Sequence, residues 1–251
     1  MGSFSYPGYA PVNGYMTEKI RQQYIQAAIG EKRLPDKAHR IAQIVSLTAS
    51  NDIKQPIQFW QLYSVIGPQR IVKLVIRFYQ RVFADEDWFR SVFERVGNLD
   101  HHVNTQSAMW IDVMGGGETY HGGEFRLNFH HSHNAMALMN DRGAKRWVKL
   151  MAETLNDPAT DLSTDPRVRP AINTFLHYFV GKYADEFAFA YRGDFGEINP
   201  PVKRRINFLN MPTDAIEALS KNELKDELMA RGIDVSSLQD KAQLVSTALR
   251  L

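Results

Sequence analysis

The stretch Leu62–Phe83, LYSVIGPQRIVKLVIRFYQRVF, decides the fold. From Ile71 onward, Val72, Leu74, Val75, Phe78, Tyr79, Val82 and Phe83 recur at helical spacings and make one broad apolar face. Ile172, Phe175, Leu176, Phe179, Val180, Tyr183 and Phe187 repeat that pattern farther along. Between the two runs the spacing predicts a helix over 101–114, a breaker at GGGE (115–118) and a further helix around 142–156. Pro166 and Pro170 suit the start of the last long helix. No strand run interrupts these segments, so the middle of the chain reads as all-α.

Working outward, residues 16–50 read as two helices broken at RLPDK, where Pro35 cannot continue a helix. The first fifteen residues, MGSFSYPGYAPVNGY, have no period and too little apolar content for a core, and read as a flexible or partner-bound arm. RGDFGEINPPVKRRINFLNMP is rich in Gly and Pro and reads as a linker. Beyond it, LSKNELKDELMARGIDVSSLQDKAQLVSTALRL has a helix–turn–helix rhythm. Ser220 with Glu223, and Asp240 with Gln243, have capping-box spacing, and Gly232 is placed to end the first helix. The expected organisation is an arm (1–15), a helical extension (16–55), a helical domain (56–192), a linker (193–212) and a small module (213–251).

Composition narrows the chemistry. With 251 residues, 44% of them hydrophobic, the chain can bury one or two cores. A net charge of +2, from 30 basic and 28 acidic residues, demands neither nucleic acid nor an anionic membrane. There is no cysteine, which removes disulfides, thiolate ligands and cysteine nucleophiles. No apolar run reaches the roughly 20 residues a membrane span needs. No secretory signal opens the sequence, and Tyr6 breaks the acylation pattern at Gly2. An intracellular protein is expected, in cytoplasm or organelle alike.

The histidines are clustered. FHHSHN (129–134) holds three of the eight, and LDHHVNTQ upstream holds His101 and His102. Such clusters suggest a metal, a cofactor or a proton relay. A metal-only site on HHSH would use His130 and His133, three apart on one helical face, and would need carboxylates from elsewhere.

LYSVIGPQRIVKLVIRFYQRVF, then MGGGETY, then a downstream His and Trp, resemble the truncated (two-on-two) haemoglobins over roughly 58–192. The family's double glycine near the first turn appears here as Gly67-Pro68, and the alignment needs two single-residue insertions. The resemblance implies a truncated globin fold holding haem. The distal tyrosine would be Tyr79, and Phe93 the aromatic that packs on the haem. His102 and Gln106, four apart and so on one face, would be the inward distal positions. Trp147 would be the tryptophan near the haem. Counting thirteen forward from Tyr120 puts the iron ligand on His133; His131, four past Leu127, and His130 are the alternatives. Tyr79 and Gln106 are donors that would slow the escape of dioxygen, and His102 could donate or reach the iron itself.

The implied function is haem-dependent binding of dioxygen or nitric oxide. It extends to nitric-oxide dioxygenation with an external reductase, since these residues carry no reductase-like segment. The alternative is a globin-derived structural subunit of a larger assembly, contacted through residues 1–50 and 213–251, with or without haem. Residues 216–251 resemble the SAP family of small helical modules, some of which bind DNA. Here Lys221, Lys225, Arg231, Lys241 and Arg250 are outnumbered by Glu217, Glu223, Asp226, Glu227, Asp234 and Asp240. Nucleic-acid affinity needs a basic face, so protein docking is the expected role. Leu224, Leu228, Ile233, Leu238 and Leu244 would form the module's own core.

Overall fold

The computed structural model describes residues 9–12, 14–120, 123–200 and 206–251. Residues 1–8 of the expected arm, His121 and the basic run at 202–205 lie outside the described residues. The chain divides into two compact units, Met1–Pro201 and Val202–Leu251. Both are built from helices, with no strand among the described residues.

In the first unit the helices are α1 (Tyr15–Gly30), the single turn α2 (Ala42–Val45), α3 (Leu62–Phe83), α4 (Asp87–Glu94), α5 (Leu99–Val113), α6 (Gly123–Phe129), α7 (Asp141–Asn156) and α8 (Val168–Glu186). α3 packs against α5 and α7, and α1 packs against α5 and α6. The apolar face of α3 is buried as its spacing predicts, with Ile71, Leu74, Val75, Phe78, Tyr79 and Val82 all inside. Burying each large side chain of this kind is worth about 1.5–3 kcal/mol. Asn98 caps α5 by accepting from His101 N at 3.0 Å, and Asn140 caps α7 by accepting from Gly143 N at 3.0 Å.

α3 is sharply bent at Gly67, whose φ of 72° and ψ of 170° are open only to glycine. A Cβ there would also lie 2.3 Å from the Tyr9 ring. Pro68 restarts the helix, where its missing N–H is not needed. Residues 9–12 and Gly14 of the expected arm are therefore seated on the first unit. The Tyr9 hydroxyl donates to Gln69 Oε1 at 3.2 Å, and Val12 N donates to Gly115 O at 2.9 Å.

Only one of the two helices expected over 16–50 forms at length. Past Pro35 the chain makes a 3-10 turn at Ala38–Arg40 and the single turn α2, and then runs irregularly. Its backbone carbonyls are taken by side chains from elsewhere in the unit. Trp60 Nε1 and Gln61 Nε2 donate to Ser46 O at 3.1 and 3.0 Å. Arg167 Nη1 donates to Ser50 O, Asp52 O and Gln55 O at 2.9, 2.7 and 3.0 Å, while Asp165 pairs with the same guanidinium at 2.8 Å. The expected linker is likewise partly structural. Asn173 Nδ2 donates to Glu197 O at 2.6 Å, and Asn199 N donates to Thr174 Oγ1 at 2.7 Å, so residues up to about 200 belong to the first unit. Surface detail follows the same logic: Arg142 lies 3.8 Å over the ring of Trp88.

The second unit holds α9 (Thr213–Ala218), α10 (Lys221–Ala230) and α11 (Lys241–Ala248). Both expected capping boxes form, Ser220 with Glu223 and Asp240 with Gln243. Gly232 has φ 78° just past α10. Phe208, Ile216, Leu224, Leu228 and Leu244 make its core, with Ile233 and Leu238 packed at the edge.

Arg167 and Asp165 are almost wholly buried, at 7% and 1% side-chain exposure, so removing the guanidinium takes a charge partner from a buried carboxylate and the donor from three loop carbonyls. Arg167→Met is expected to destabilise the first unit by about 3–5 kcal/mol, read as a lowered urea midpoint; an unchanged midpoint would show that the 50–55 loop is held by other contacts.

Candidate functional site

The first unit encloses a cavity of about 300 Å³, at the lower end of the roughly 300–1,000 Å³ common for small-molecule sites. Its walls come from α3, α5, α6 with the turn that follows it, α7 and α8. Five of the six site residues read from the sequence line it: Tyr79, Phe93, His102, Gln106 and Trp147. The sixth, His133, does not.

On one side stand Tyr79, His102 and Gln106. The Tyr79 hydroxyl donates to Gln106 Oε1 at 3.3 Å, which leaves the Gln106 amide hydrogens without a partner among the described residues. Burial, with a smaller contribution from Tyr120, pushes the Tyr79 hydroxyl well above its ordinary range, so it stays a protonated donor. His102 is 5% exposed and stacks on Tyr79 with ring centroids 5.2 Å apart. Its Nε2 donates to Phe93 O at 2.9 Å. That nitrogen is therefore committed to the backbone, which disfavours His102 as a sixth iron ligand and makes it a wall of the pocket. Trp147 lies between Phe78, at 5.1 Å, and Phe195, at 6.4 Å.

The histidine cluster also resolves. α6 ends at Phe129, and His130–Asn134 form a π-helical turn. This wider turn, with its i→i+5 bonding, displaces the later residues from the register that regular α-helical counting assumes. His130 and His131 line the cavity, whereas His133 is exposed. The His133 ring stacks on Phe129 at 4.2 Å, and its Nδ1 lies 3.1 Å from Phe129 O and 2.9 Å from Ser132 Oγ.

His131 has the features an iron ligand needs. Its Nδ1 lies 2.8 Å from Leu127 O, and because a carbonyl only accepts, Nδ1 carries the proton. Nε2 is left as a lone-pair donor with no partner among the described residues. Burial, then His130, pushes the imidazole down to about 4, so it is neutral at physiological pH. Tyr183 packs on the ring at 4.2 Å. A neutral, oriented imidazole faces apolar walls and two hydroxyl or amide donors, and these residues fit haem. For a metal ion alone they do not: among the described residues no three His, Asp or Glu side chains are placed to share one.

Similarity to known proteins agrees with this geometry. Residues 61–179 match the model of the bacterial-like globins. Over those residues the chain is similar to the truncated haemoglobins. The chain is 27% identical over 109 residues to two-on-two hemoglobin-3 of Arabidopsis thaliana, covering 43% of this chain and 61% of that protein. It is also 27% identical over 124 residues to group 2 truncated hemoglobin 3-1 of Lotus japonicus, covering 47% of this chain and 70% of that protein. No solved structure matches. Truncated haemoglobins bind diatomic gases through haem.

Several lining residues of this truncated-haemoglobin domain were not singled out in the sequence. Tyr120 and Tyr183 appear there only as members of a motif and of an apolar face. Phe189 lies beyond the family-matched segment, yet it lines the cavity. Asp112 is 2% exposed and acts at one remove. Its carboxylate accepts from Thr119 N and Tyr120 N, both at 2.8 Å, and so ties down the corner after α5.

Burial lowers the His102 imidazole, outweighing the opposing effect of the Phe93 carbonyl. A folded-state value below the unfolded one, about 6.5, means that the unfolded chain binds the proton first. The associated loss of stability is absent above that value and grows as the pH falls below it. Thermal melts of the haem-free protein from pH 8 to 5 should therefore show a shallower decline for His102→Gln than for the wild type. Parallel curves would exclude His102 as a source of acid lability.

Proposed function

We propose that the truncated-haemoglobin domain holds haem in this cavity with His131 as the iron ligand, and that it binds dioxygen or nitric oxide on the opposite side. The observation that carries the reading is the Leu127 carbonyl bond to His131 Nδ1, which fixes the tautomer and leaves Nε2 open. The exposed position of His133 speaks against the sequence-based register. Bound haem would supply an iron centre able to take a diatomic molecule. The chain supplies the rest: His131 anchors from one side, and Tyr79 and Gln106 offer hydrogen-bond donors from the other. Phe93, Trp147 and Phe175 contribute apolar wall that limits water.

With those donors the site would favour a ligand that accepts hydrogen bonds, and dioxygen is the better acceptor of the two. Nitric-oxide dioxygenation follows if an external reductase renews the iron. Residues 216–251 are proposed as a protein-docking module of SAP-like form rather than a nucleic-acid reader, since within them acidic residues outnumber basic ones. No helix among the described residues is long and apolar enough to cross a membrane.

Titration with haemin tests the assignment. His131→Ala should abolish the Soret band that the wild type gains, while His133→Ala should retain it. Loss in the second variant but not the first would restore the sequence register, and no band in the wild type would leave the domain as a structural globin. In the loaded protein, Tyr79→Phe should speed dioxygen release roughly three- to tenfold, the equivalent of one neutral hydrogen bond. An unchanged rate measured by stopped flow would remove Tyr79 from ligand retention.

A further inference from the structure

The segment that carries the histidines is gripped by residues outside the family-matched range 61–179. Glu124 opens α6, and three side chains converge on its carboxylate. Lys19 Nζ of α1 lies 2.5 Å from Oε2, Lys182 Nζ of α8 lies 3.6 Å from Oε1, and Gln23 Nε2 of α1 donates to Oε1 at 3.4 Å. The Glu124 side chain is only 12% exposed. Burial works to raise its carboxyl, but Lys19, Lys182 and Gln23 together outweigh that and hold it below the ordinary value. Glu124 precedes His131 by seven residues, and α6 runs directly into the π turn that carries His131, so a shift at Glu124 is passed through α6 to that turn.

A second contact lies upstream. Val12 N donates to Gly115 O at 2.9 Å, and Gly14 approaches Gly117 so closely that a Cβ on it would sit 1.8 Å from the Gly117 carbonyl oxygen. The N-terminal extension thus touches the glycine corner after α5 and the first turn of α6. α6 is only seven residues long and runs into the π turn. Helices this short have little stability of their own and take their position from what packs on them.

We propose that the N-terminal extension is a latch on the histidine-bearing segment: α1, acting through Lys19 and Gln23 on Glu124, sets where His131 stands, so that cofactor retention depends on a helix outside the globin segment. The proposal rests on the haem reading above and deepens it by making Glu124 a positioning residue. The latch also gives any protein that binds or displaces the extension a mechanical route to the cavity.

The test uses the full chain with Glu124→Gln, Lys19→Met and the double variant. Transfer of haemin to excess apomyoglobin should be roughly fivefold faster in Glu124→Gln, the scale of a partly buried ion pair. The double variant should transfer haemin more slowly than the two single effects combined would give, because Lys19 acts on the segment through that carboxylate. The iron–histidine stretching band in the resonance Raman spectrum of the reduced protein should shift, which a general loss of stability would not produce. Wild-type transfer rates with an unmoved band would overturn the latch, as would additive effects in the double variant. If the wild type takes up no haemin, the haem reading fails separately and the latch is read by amide exchange in the haem-free chain. Several-fold loss of protection across residues 123–131 in Glu124→Gln would then support it, and wild-type protection would overturn it.

Discussion

Everything around the cavity depends on how the chain leaves α5. Gly115 takes φ 97° at that point, and a Cβ on it would lie 2.1 Å from Trp60 O. Only glycine allows the corner to press against the residues that precede α3. Tyr63 N donates to Met114 O at 3.0 Å across the same contact, and Asp112 ties the far side of the corner through Thr119 and Tyr120. This corner joins α5, which carries His102 and Gln106, to the segment that carries the histidines beyond α6.

The polar groups inside are few, and each has a distinct reason for its state. Burial keeps Tyr79 protonated and the His131 and His102 imidazoles neutral. Two backbone carbonyls, of Leu127 and Phe93, then select which ring nitrogen of each histidine holds its proton. The outcome differs because of which nitrogen is bound. His131 is fixed through Nδ1 and offers Nε2, whereas His102 is fixed through Nε2 and becomes part of the wall. Two cavity-lining histidines, both lowered by burial, thus hold their protons on different ring nitrogens.

Much of the fold was legible because the apolar spacing on α3 and α8, and the breakers between helices, are local signals. The C-terminal caps were legible for the same reason, since Ser220–Glu223 and Asp240–Gln243 depend only on neighbouring residues. What was not legible is tertiary. The chain from Pro35 to about 50 read as a second helix because nothing local shows that Trp60, Gln61 and the distant Arg167 take the carbonyls of Ser46 and Ser50. The histidine register depends on geometry of the same kind: the count from Tyr120 assumes regular α geometry through Asn134, and the π turn departs from it. The alternative spacing, Leu127 to His131, needs only one local hydrogen bond and does not depend on that count.

The placement of the tryptophans has a consequence of its own. All four, Trp60, Trp88, Trp110 and Trp147, fall in the first unit. Trp110 and Trp147 line the cavity, Trp60 is sealed in the core beside the Ser46 carbonyl, and Trp88 lies beneath Arg142. The molecule therefore carries a built-in optical gauge. A strongly absorbing guest in the cavity would quench indole emission from its nearest walls, while unfolding of the tryptophan-free second unit would leave that emission largely untouched.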